Sequence, residues 1–467
     1  MSRARRNEPK RLITAGAPLI PADAVMTQAQ AQAIIEKVKK LSKADEVIVN
    51  VGGFYQADVR FAANQMSTAG GVSNSNFAVT SVFGKKHATA VSNDLSDESL
   101  KRVVEQSEVL TKLSPDDPEW LPGLGPQTYQ PVERFFPGTA NLSPEERARA
   151  ALTALEPARK AGDLQAAGFI VVTAGSNALG NSKGLFAYSQ STNANYTLTV
   201  RTADGTGSGW AGAVDNDWKK IDFAKVSNIA IEKARLSRNP VAIEPGKYTV
   251  ILEPQAVGDL VQLVGGSLGA RQADEGRSAF AKQGGGNKIG EKIVDPRVTI
   301  ISDAQDLQLR GQPFDGQGLP SKRMVWVENG VLKQLAYSRF WAQKQGKEAT
   351  PGAGSIKMIG GTTSTEEMIR STPRGILVTR LWYLRQVDPR TILFTGLTRD
   401  GTFLIENGKI TKAIKNFRFN ESPLFMLNNI EAMGPSVRIA GTEGGGAIVM
   451  PALKVKDFNF TSLSDAV

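Results

Sequence analysis

Histidine and cysteine are the residues that most often bind zinc, and the 467-residue sequence has one histidine, His87, and no cysteine. The usual zinc ligand sets therefore cannot be assembled. His87 follows Lys85 and Lys86, whose charges disfavour a protonated imidazole and compete with a bound cation. We expect a surface role for His87, so that a metal site would need oxygen ligands alone.

Carboxylates are the remaining source of metal ligands. Their spacing lacks the glycine-interrupted pattern of a calcium-binding loop. The nearest groups are Asp303 with Asp306, and Asp116 and Asp117 with Glu119. The sequence therefore predicts no metal in this chain.

The sequence motifs of a catalytic serine and of a phosphate-binding loop are also incomplete. Residues 205–209 come closest to a Gly-x-Ser-x-Gly elbow, but Gly207 stands where the serine belongs. In the glycine-rich stretch 284–292, Glu291 stands where a phosphate-binding loop needs lysine, which predicts a tight or mobile loop. A second triple glycine, residues 444–446, predicts a plain turn or, alternatively, a close approach by another backbone lining a peptide groove.

The composition limits the class of protein. At 41% hydrophobic residues and this length, the chain predicts two domains, residues 26–239 and 240–467, with the boundary at Asn239-Pro240. The sequence contains no run of about 18 apolar residues, so no membrane-spanning helix is predicted. The net charge of +10 is scattered along the sequence, which indicates a solvated basic surface and argues against a nucleic-acid site.

The N-terminal residues and the absence of cysteine both bear on the cellular compartment of the protein. Residues 1–25 are basic and then briefly apolar, with prolines that interrupt the apolar stretch. We predict a disordered basic arm here and no signal peptide. The absence of cysteine fits a reducing compartment, so the cytoplasm is the expected location.

Regular elements must position any site. In the first domain, a helix is predicted from the cap Thr27 to Leu41, and another after the capping box that begins at Ser143. Residues 46–51 and 55–62 flank Gly52-Gly53 and predict an antiparallel pair, as do residues 77–83 and 86–92 around Gly84.

The second domain is predicted to be rich in strands. A strand at residues 247–252 and a helix from Gln255 to about Ala270 begin it. Two apolar runs enter Glu-Asn-Gly, at 328–330 and 406–408, which is the strongest short signal for a type I′ hairpin. A last helix is predicted from the cap Ser422 to Met433.

Several short segments, in order, resemble the TldD/TldE (PmbA) metalloprotease family. The resemblance runs from about Gln28 to the C-terminus, and each segment alone is weak. The segments are Val59-Arg60-Phe61 through Asn64, Asn181-Ser182-Lys183-Gly184, Gly276-Arg277-Ser278-Ala279-Phe280, Lys288-Ile289-Gly290-Glu291-Lys292, Pro313-Phe314-Asp315-Gly316-Gln317-Gly318, Glu328-Asn329-Gly330-Val331-Leu332, Gly375-Ile376-Leu377-Val378-Thr379 and Ile405-Glu406-Asn407-Gly408. Pattern and resemblance together imply an α+β fold: an N-terminal domain of antiparallel strands with packed helices, and a mostly β C-terminal domain with a large curved or barrel-like sheet.

The resemblance also implies where a zinc motif would lie. TldD-like members carry His-Glu-x-x-x-His on the helix before the Ser-Ala-Phe segment, and a cysteine near the C-terminus. Counting back without gaps from Ser278 places Val261, Gln262 and Gly266 at the His, Glu and second His positions. Valine and glycine offer no ligand atom, and glutamine cannot act as a general base.

TldE-like subunits of the family lack the metal site and pair with a TldD-like subunit. The resemblance therefore implies a non-catalytic subunit that helps to hold extended or unfolded peptides while a zinc-bearing partner cleaves them. No cofactor is expected in this chain, and zinc only in the partner. Candidate groove residues are Ser278, Gly444, Gly445 and Gly446.

Two alternatives stay open. One is a stand-alone peptide-binding or scaffolding protein, with a homodimer as its possible assembly. The other is an enzyme that uses carboxylates or hydroxyls such as Asp303, Asp315 or Ser278, although their spacing pairs no nucleophile with a base.

Overall fold

The computed structural model describes residues 24–441 and 446–464. The predicted basic arm, residues 1–25, therefore lies outside the described residues except for its last two positions. Ala24 is buried, and the Met26 backbone N–H donates to Ser176 Oγ at 3.0 Å. The described part of the chain therefore begins packed against the first sheet.

Six antiparallel strands form the first sheet, in the order β3-β2-β1-β4-β5-β6. These strands are β1 (Glu46–Ala62), β2 (Gln65–Phe83), β3 (Lys86–Ser92), β4 (Leu164–Asn181), β5 (Phe186–Thr202) and β6 (Ser208–Asp215). Five helices accompany them: α1 (Gln28–Leu41), α2 (Asp97–Leu113), α3 (Pro137–Ala140), α4 (Pro144–Ala161) and α5 (Phe223–Leu236). Apolar faces of α1 and α2 close one core against this sheet, and those of α4 and α5 close another.

Thirteen strands form the second sheet. They are β7 (Gly246–Leu252), β8 (Ile300–Ser302), β9 (Met324–Glu328), β10 (Val331–Leu332), β11 (Ile356–Met358), β12 (Arg374–Val378), β13 (Leu381–Asp388), β14 (Leu393–Thr398), β15 (Thr402–Glu406), β16 (Lys409–Ala413), β17 (Phe417–Glu421), β18 (Ile430–Arg438) and β19 (Ile448–Leu463). The long strand β19 pairs with β7, β11, β17 and β18, so it organises the sheet. The predicted α+β class is confirmed, and the described strands form an open, branched sheet.

Five further helices follow α5: α6 (Pro254–Gly266), α7 (Ala270–Asp274), α8 (Arg339–Lys344), α9 (Thr365–Arg370) and α10 (Pro423–Asn428). The helix predicted from Gln255 to Ala270 is therefore two helices, with a break at Ser267. Helix α6 lies in the main core of the C-terminal half. Its inward face is aliphatic, and burial of that face holds the helix against the sheet.

Local sequence signals predicted the correct elements at several places. Thr27 forms a capping box with Gln30, and Ser143 forms one with Glu146. Both predicted hairpins exist, with positive φ angles at Asn329 and Asn407 and at the glycine that follows each. Asn-Gly meets the backbone requirement of this turn without tertiary help.

Two predictions were wrong. Gly52 and Gly53 do not turn the chain; they lie inside the continuous strand β1. A Cβ at Gly52 would lie 2.6 Å from the Ser176 carbonyl oxygen, so this glycine permits close approach of β4. The last helix, capped by Ser422, ends at Asn428 and not at Met433, because Ile430 onward pairs with β19.

A proline-rich segment, residues 115–136, connects α2 to α3 and crosses onto the C-terminal half. Glu119 receives a two-pronged hydrogen bond from Arg271, at 2.7 and 2.8 Å. Tyr129 donates its hydroxyl to the Gly318 carbonyl at 2.8 Å, and its ring lies 5.3 Å from that of Phe314. This segment therefore ties the two sheets together.

Candidate functional site

Helix α6 carries the three positions that the count back from Ser278 assigns to the zinc motif. Val261 is fully buried in the main core, Gln262 is half-buried, and Gly266 is exposed. The Gln262 side-chain amide donates to the Asp259 carbonyl at 3.2 Å. At these three positions the helix therefore has a buried aliphatic side chain, an amide that is already hydrogen-bonded, and a glycine without a side chain.

Close packing fixes α6 in place. A Cβ at Gly258 would lie 2.0 Å from Ile439 Cδ1, so the helix touches the chain just beyond β18. Asp259 accepts a hydrogen bond from the Leu381 backbone N–H at 3.1 Å, which anchors the helix to β13. The framework around the three positions is therefore rigid.

The residues present do not fit a zinc ion of the kind the family implies. Neither Val261 nor Gly266 has a donor atom, and amide groups are poor substitutes for imidazole at zinc. Within residues 24–441 and 446–464, no cluster of three or more His, Cys, Asp or Glu side chains could hold a metal ion.

His87 lies elsewhere, in β3. It is half-buried, and its Nε2 lies 3.0 Å from Asp117 Oδ2. Its ring stacks on Trp120 with centroids 4.2 Å apart. The hydrogen bond with His87 lowers the pKa of Asp117. The histidine therefore docks the proline-rich segment on the first sheet.

A cavity of about 880 Å³ lies between the two sheets. We call it the inter-sheet cavity. Hydroxyl and amide side chains cover much of its wall, among them Ser191, Asn193 and Asn195 of β5, and Ser302, Gln312 and Ser355. Such groups can exchange hydrogen bonds with a peptide backbone.

The cavity reaches the neighbourhood of α6. Ala353 lines it, and a Cβ placed on Gly265 would lie 3.9 Å from the Ala353 carbonyl oxygen. The inter-sheet cavity therefore lies beside the C-terminal end of the helix that carries Val261, Gln262 and Gly266.

The predicted groove residues are separated by the structure. Gly446 lines the cavity, and its backbone approaches another so closely that a Cβ would lie 1.9 Å from the Gly354 carbonyl oxygen. Gly444 and Gly445 lie outside the described residues. Ser278 is buried, where its Oγ accepts from the Phe280 N–H at 3.1 Å. A groove role for Ser278 stays a prediction, and the buried location of its side chain does not support it.

Asp303 and Asp315, the carboxylates of the third alternative, both line the cavity. Asp303 accepts from the Gln305 N–H at 2.9 Å, and Asp315 accepts from the N–H groups of Gln317 and Leu319, each at 2.9 Å. Each carboxylate therefore stabilises a turn. Neither contacts Ser278 in the described structure, so no nucleophile and base are paired here.

Three arginines that the sequence did not single out also line the cavity: Arg134, Arg310 and Arg438. They come from the proline-rich segment, from a loop after β8 and from the end of β18. No spacing in the sequence joins positions so far apart, and only the tertiary structure brings them together.

Comparison with known proteins identifies the fold and the family. Three models of the PmbA/TldA metallopeptidase match in order: domain 1 at residues 55–110, the central domain at 139–238 and the C-terminal domain at 245–462. The chain belongs to the PmbA/TldD family. The resemblance read from the short motifs is confirmed.

Relatives within the PmbA/TldD family are distant in sequence. A Metalloprotease TldD homolog of Buchnera aphidicola is 26% identical over 52% of this chain and 54% of its own length. This chain thus spans about half the length of the first curated relatives it matches. Metalloprotease PmbA of Escherichia coli O157:H7 is 23% identical over 81% of this chain and 84% of its own.

A solved structure of TldE from Thermococcus kodakarensis shares the fold. Its TM-score is 0.82 at 20% identity, and the match covers 92% of this chain and 99% of that one. Among the described residues of the present chain, no helix has the length and apolarity to cross a membrane.

Proposed function

We propose that this chain is a non-catalytic subunit of a TldD/TldE-type metalloprotease complex, in the cytoplasm, that helps to hold extended or unfolded peptides for a zinc-bearing partner. One observation carries the proposal. The positions of the zinc motif hold Val261, Gln262 and Gly266, and Val261 is sealed in the core. A shift of alignment cannot restore two histidines, because the chain has only one.

The cavity supports the peptide part of the proposal. Its hydroxyl and amide lining matches the alternating donors and acceptors of an extended backbone, which gives affinity with little dependence on sequence. The partner would supply zinc, and with it the activated water for hydrolysis.

Co-expression with a TldD-like subunit that carries His-Glu-x-x-x-His tests the proposal. We expect the two chains to co-purify with zinc in the partner only, measured by elemental analysis of the complex and of each chain. Hydrolysis of an unfolded reporter peptide should require both chains. The matched control is a partner in which the first motif histidine is replaced by alanine, which should still assemble and should not hydrolyse.

Three outcomes would contradict the proposal. Stoichiometric zinc held by this chain alone would restore a metal role for it. Peptide hydrolysis by this chain alone that survives a chelator would favour the carboxylate or hydroxyl enzyme. A stable homodimer that binds peptide and ignores the TldD-like subunit would favour the scaffolding alternative.

A further inference from the structure

Arg134, Arg310 and Arg438 converge on the inter-sheet cavity with few carboxylate partners. Arg134 donates to Gln312 Oε1, and Arg438 donates to Asn216 Oδ1 at 2.8 Å. Both acceptors are neutral amides. Only Arg310 has a carboxylate within ion-pair distance among the described residues, Glu133 at 2.9 Å.

That one partner neutralises little. The Glu133 side chain is 71% exposed, whereas that of Arg310 is 7% exposed. Water screens a carboxylate at the surface, so its attraction for a buried guanidinium is modest. The cluster therefore keeps most of its positive charge inside the protein.

Hydrogen-bonding atoms are also left unused. The Nε atoms of Arg134, Arg310 and Arg438 and the Oδ1 atom of Asn195 are buried without a hydrogen-bond partner in the described structure. Buried polar groups are ordinarily satisfied, and an unsatisfied one costs stability. Four such atoms belong to side chains that line this one cavity, and two more, Arg147 Nε and Arg238 Nε, lie elsewhere.

The arginines also repel one another. Burial, and then the charge of Arg438, lowers the pKa of Arg134 to about 10. Burial lowers the pKa of Arg438 as well; the charge of Asp215 opposes this effect, and the charge of Arg310 adds to it to a smaller extent. A like-charged cluster of this kind destabilises the free protein and would be stabilised by an anion.

We propose that the inter-sheet cavity binds a carboxylate of an extended peptide, either its C-terminal group or an acidic side chain, on Arg134, Arg310 and Arg438. The fork of a guanidinium matches a planar carboxylate, and desolvation strengthens the contact. The inference rests on the proposed function, because the amide and hydroxyl lining is assigned to the peptide backbone.

Fluorescence anisotropy with labelled peptides tests this inference on the full chain. The probes are an N-terminally labelled hexapeptide of glycine and serine with two glutamates, the same peptide with two glutamines, and C-amidated versions of both. A peptide that offers the recognised carboxylate should bind about tenfold more tightly than its glutamine or amidated counterpart, as charge-assisted hydrogen bonds to desolvated arginines allow. A difference between free and amidated forms would identify the C-terminal carboxylate as the bound group.

Variants assign the preference to the cluster. Arg438→Gln and Arg134→Gln should reduce the preference for acid to less than about threefold. Arg438→Lys keeps a charge without the fork and should have an intermediate effect. The matched control is Arg60→Gln, an exposed arginine on β1 outside the cavity, which should keep the preference.

Thermal melting supplies a second measurement. Without ligand, Arg134→Gln and Arg438→Gln should melt at or above the wild-type temperature, because each removes repulsion and an unsatisfied Nε atom. Glutarate should raise the melting temperature of the wild-type chain more than that of either variant. A marked fall in melting temperature for both variants would mean that these arginines are structural, which overturns the inference.

The outcomes separate this inference from the proposed function. Equal binding of all four peptides would leave the peptide role standing and overturn the arginine site. Binding of none of them would overturn both. Stabilisation by glutarate or inorganic phosphate without peptide binding would show a small-anion site and overturn the assignment to a peptide.

Discussion

At the scale of single residues, Val261, Gln262 and Gly266 stand in three different environments on one helix. The first faces the core, the second is half-buried and the third is exposed. That the chain cannot supply two histidines or a cysteine follows from residue counts alone. The burial of Val261 could not be predicted in this way, since it depends on how α6 packs on the sheet.

Replacing Val261 with histidine should destabilise the protein by about 2–3 kcal/mol at pH 7, because a polar ring would be buried without a partner. Denaturation in urea measures the loss. Gln262→Glu, on the half-exposed neighbour, is the control and should cost less than about 1 kcal/mol. Zinc-dependent stabilisation of the histidine variant would contradict our interpretation of this position.

Asp295 and Arg297 should give the fold a local dependence on pH. The hydrogen bond from Arg297 lowers the pKa of Asp295 to about 2. Because the folded pKa lies below the ordinary value of 3.8, this pair stabilises the fold above about pH 4, and that contribution is lost as the pH falls towards 2.

Arg297→Gln should therefore destabilise the protein more at pH 7 than at pH 2.5, by up to about 1 kcal/mol for a partly exposed pair. Denaturation curves at the two pH values measure the difference. Arg60→Gln, which removes an exposed arginine on β1, is the control. An equal loss at both pH values would mean that the contacts of Arg297 with the Ile430 and Glu431 carbonyls matter more.

At the scale of helices and strands, features that depend on residues close in the sequence could be predicted, and features that depend on distant residues could not. Caps at Thr27 and Ser143 and turns at Asn329 and Asn407 depend on neighbours within three residues, and the sequence predicted them. The role of Gly52 depends on Ser176, more than a hundred residues away. Local patterns indicate a turn there, and the pairing of β1 with β4 overrides them.

Strand β6 lies directly on helix α5. A Cβ at Gly209 would lie 2.2 Å from the Ala230 carbonyl oxygen and 2.4 Å from the Ala234 nitrogen. Backbone atoms cannot move aside as a side chain can, so Gly209→Ala should cost about 3 kcal/mol or more. Thermal or urea denaturation measures it.

Gly138→Ala is the matched control, because nothing lies within 4 Å of a Cβ at that position in α3. It should be neutral or slightly stabilising. Equal effects of the two substitutions would mean that the contact between α5 and β6 is looser than described.

At the scale of the whole molecule, the proline-rich segment joins the two sheets through hydrogen bonds to both. Near its start, Asp117 contacts His87 of the first sheet, and Glu119 makes the two-pronged bond with Arg271 of the C-terminal half. Composition indicated an irregular segment here. Its docking partners, Arg271, Arg310 and Gly318, lie far along the chain and could not be predicted from local pattern.

Arg271→Gln should release the start of this segment and raise the rate of limited proteolysis within residues 115–136 several-fold, because cleavage follows local opening. Arg277→Gln is the control, since Arg277 shares the partner Glu275 with Arg271 and does not contact Glu119. Mass spectrometry of the fragments locates the cut. Unchanged cleavage in Arg271→Gln would mean that Tyr129 and its neighbours suffice to hold the segment.

Because His87 is the sole imidazole, a proton NMR spectrum in heavy water should contain one resolved pair of histidine ring signals. The indole of Trp120, on which the ring stacks, should shift those signals. They therefore report, without an added label, whether the proline-rich segment stays docked on the first sheet at His87. Titrating a peptide or a partner subunit against this one pair of lines would show directly whether binding is felt there.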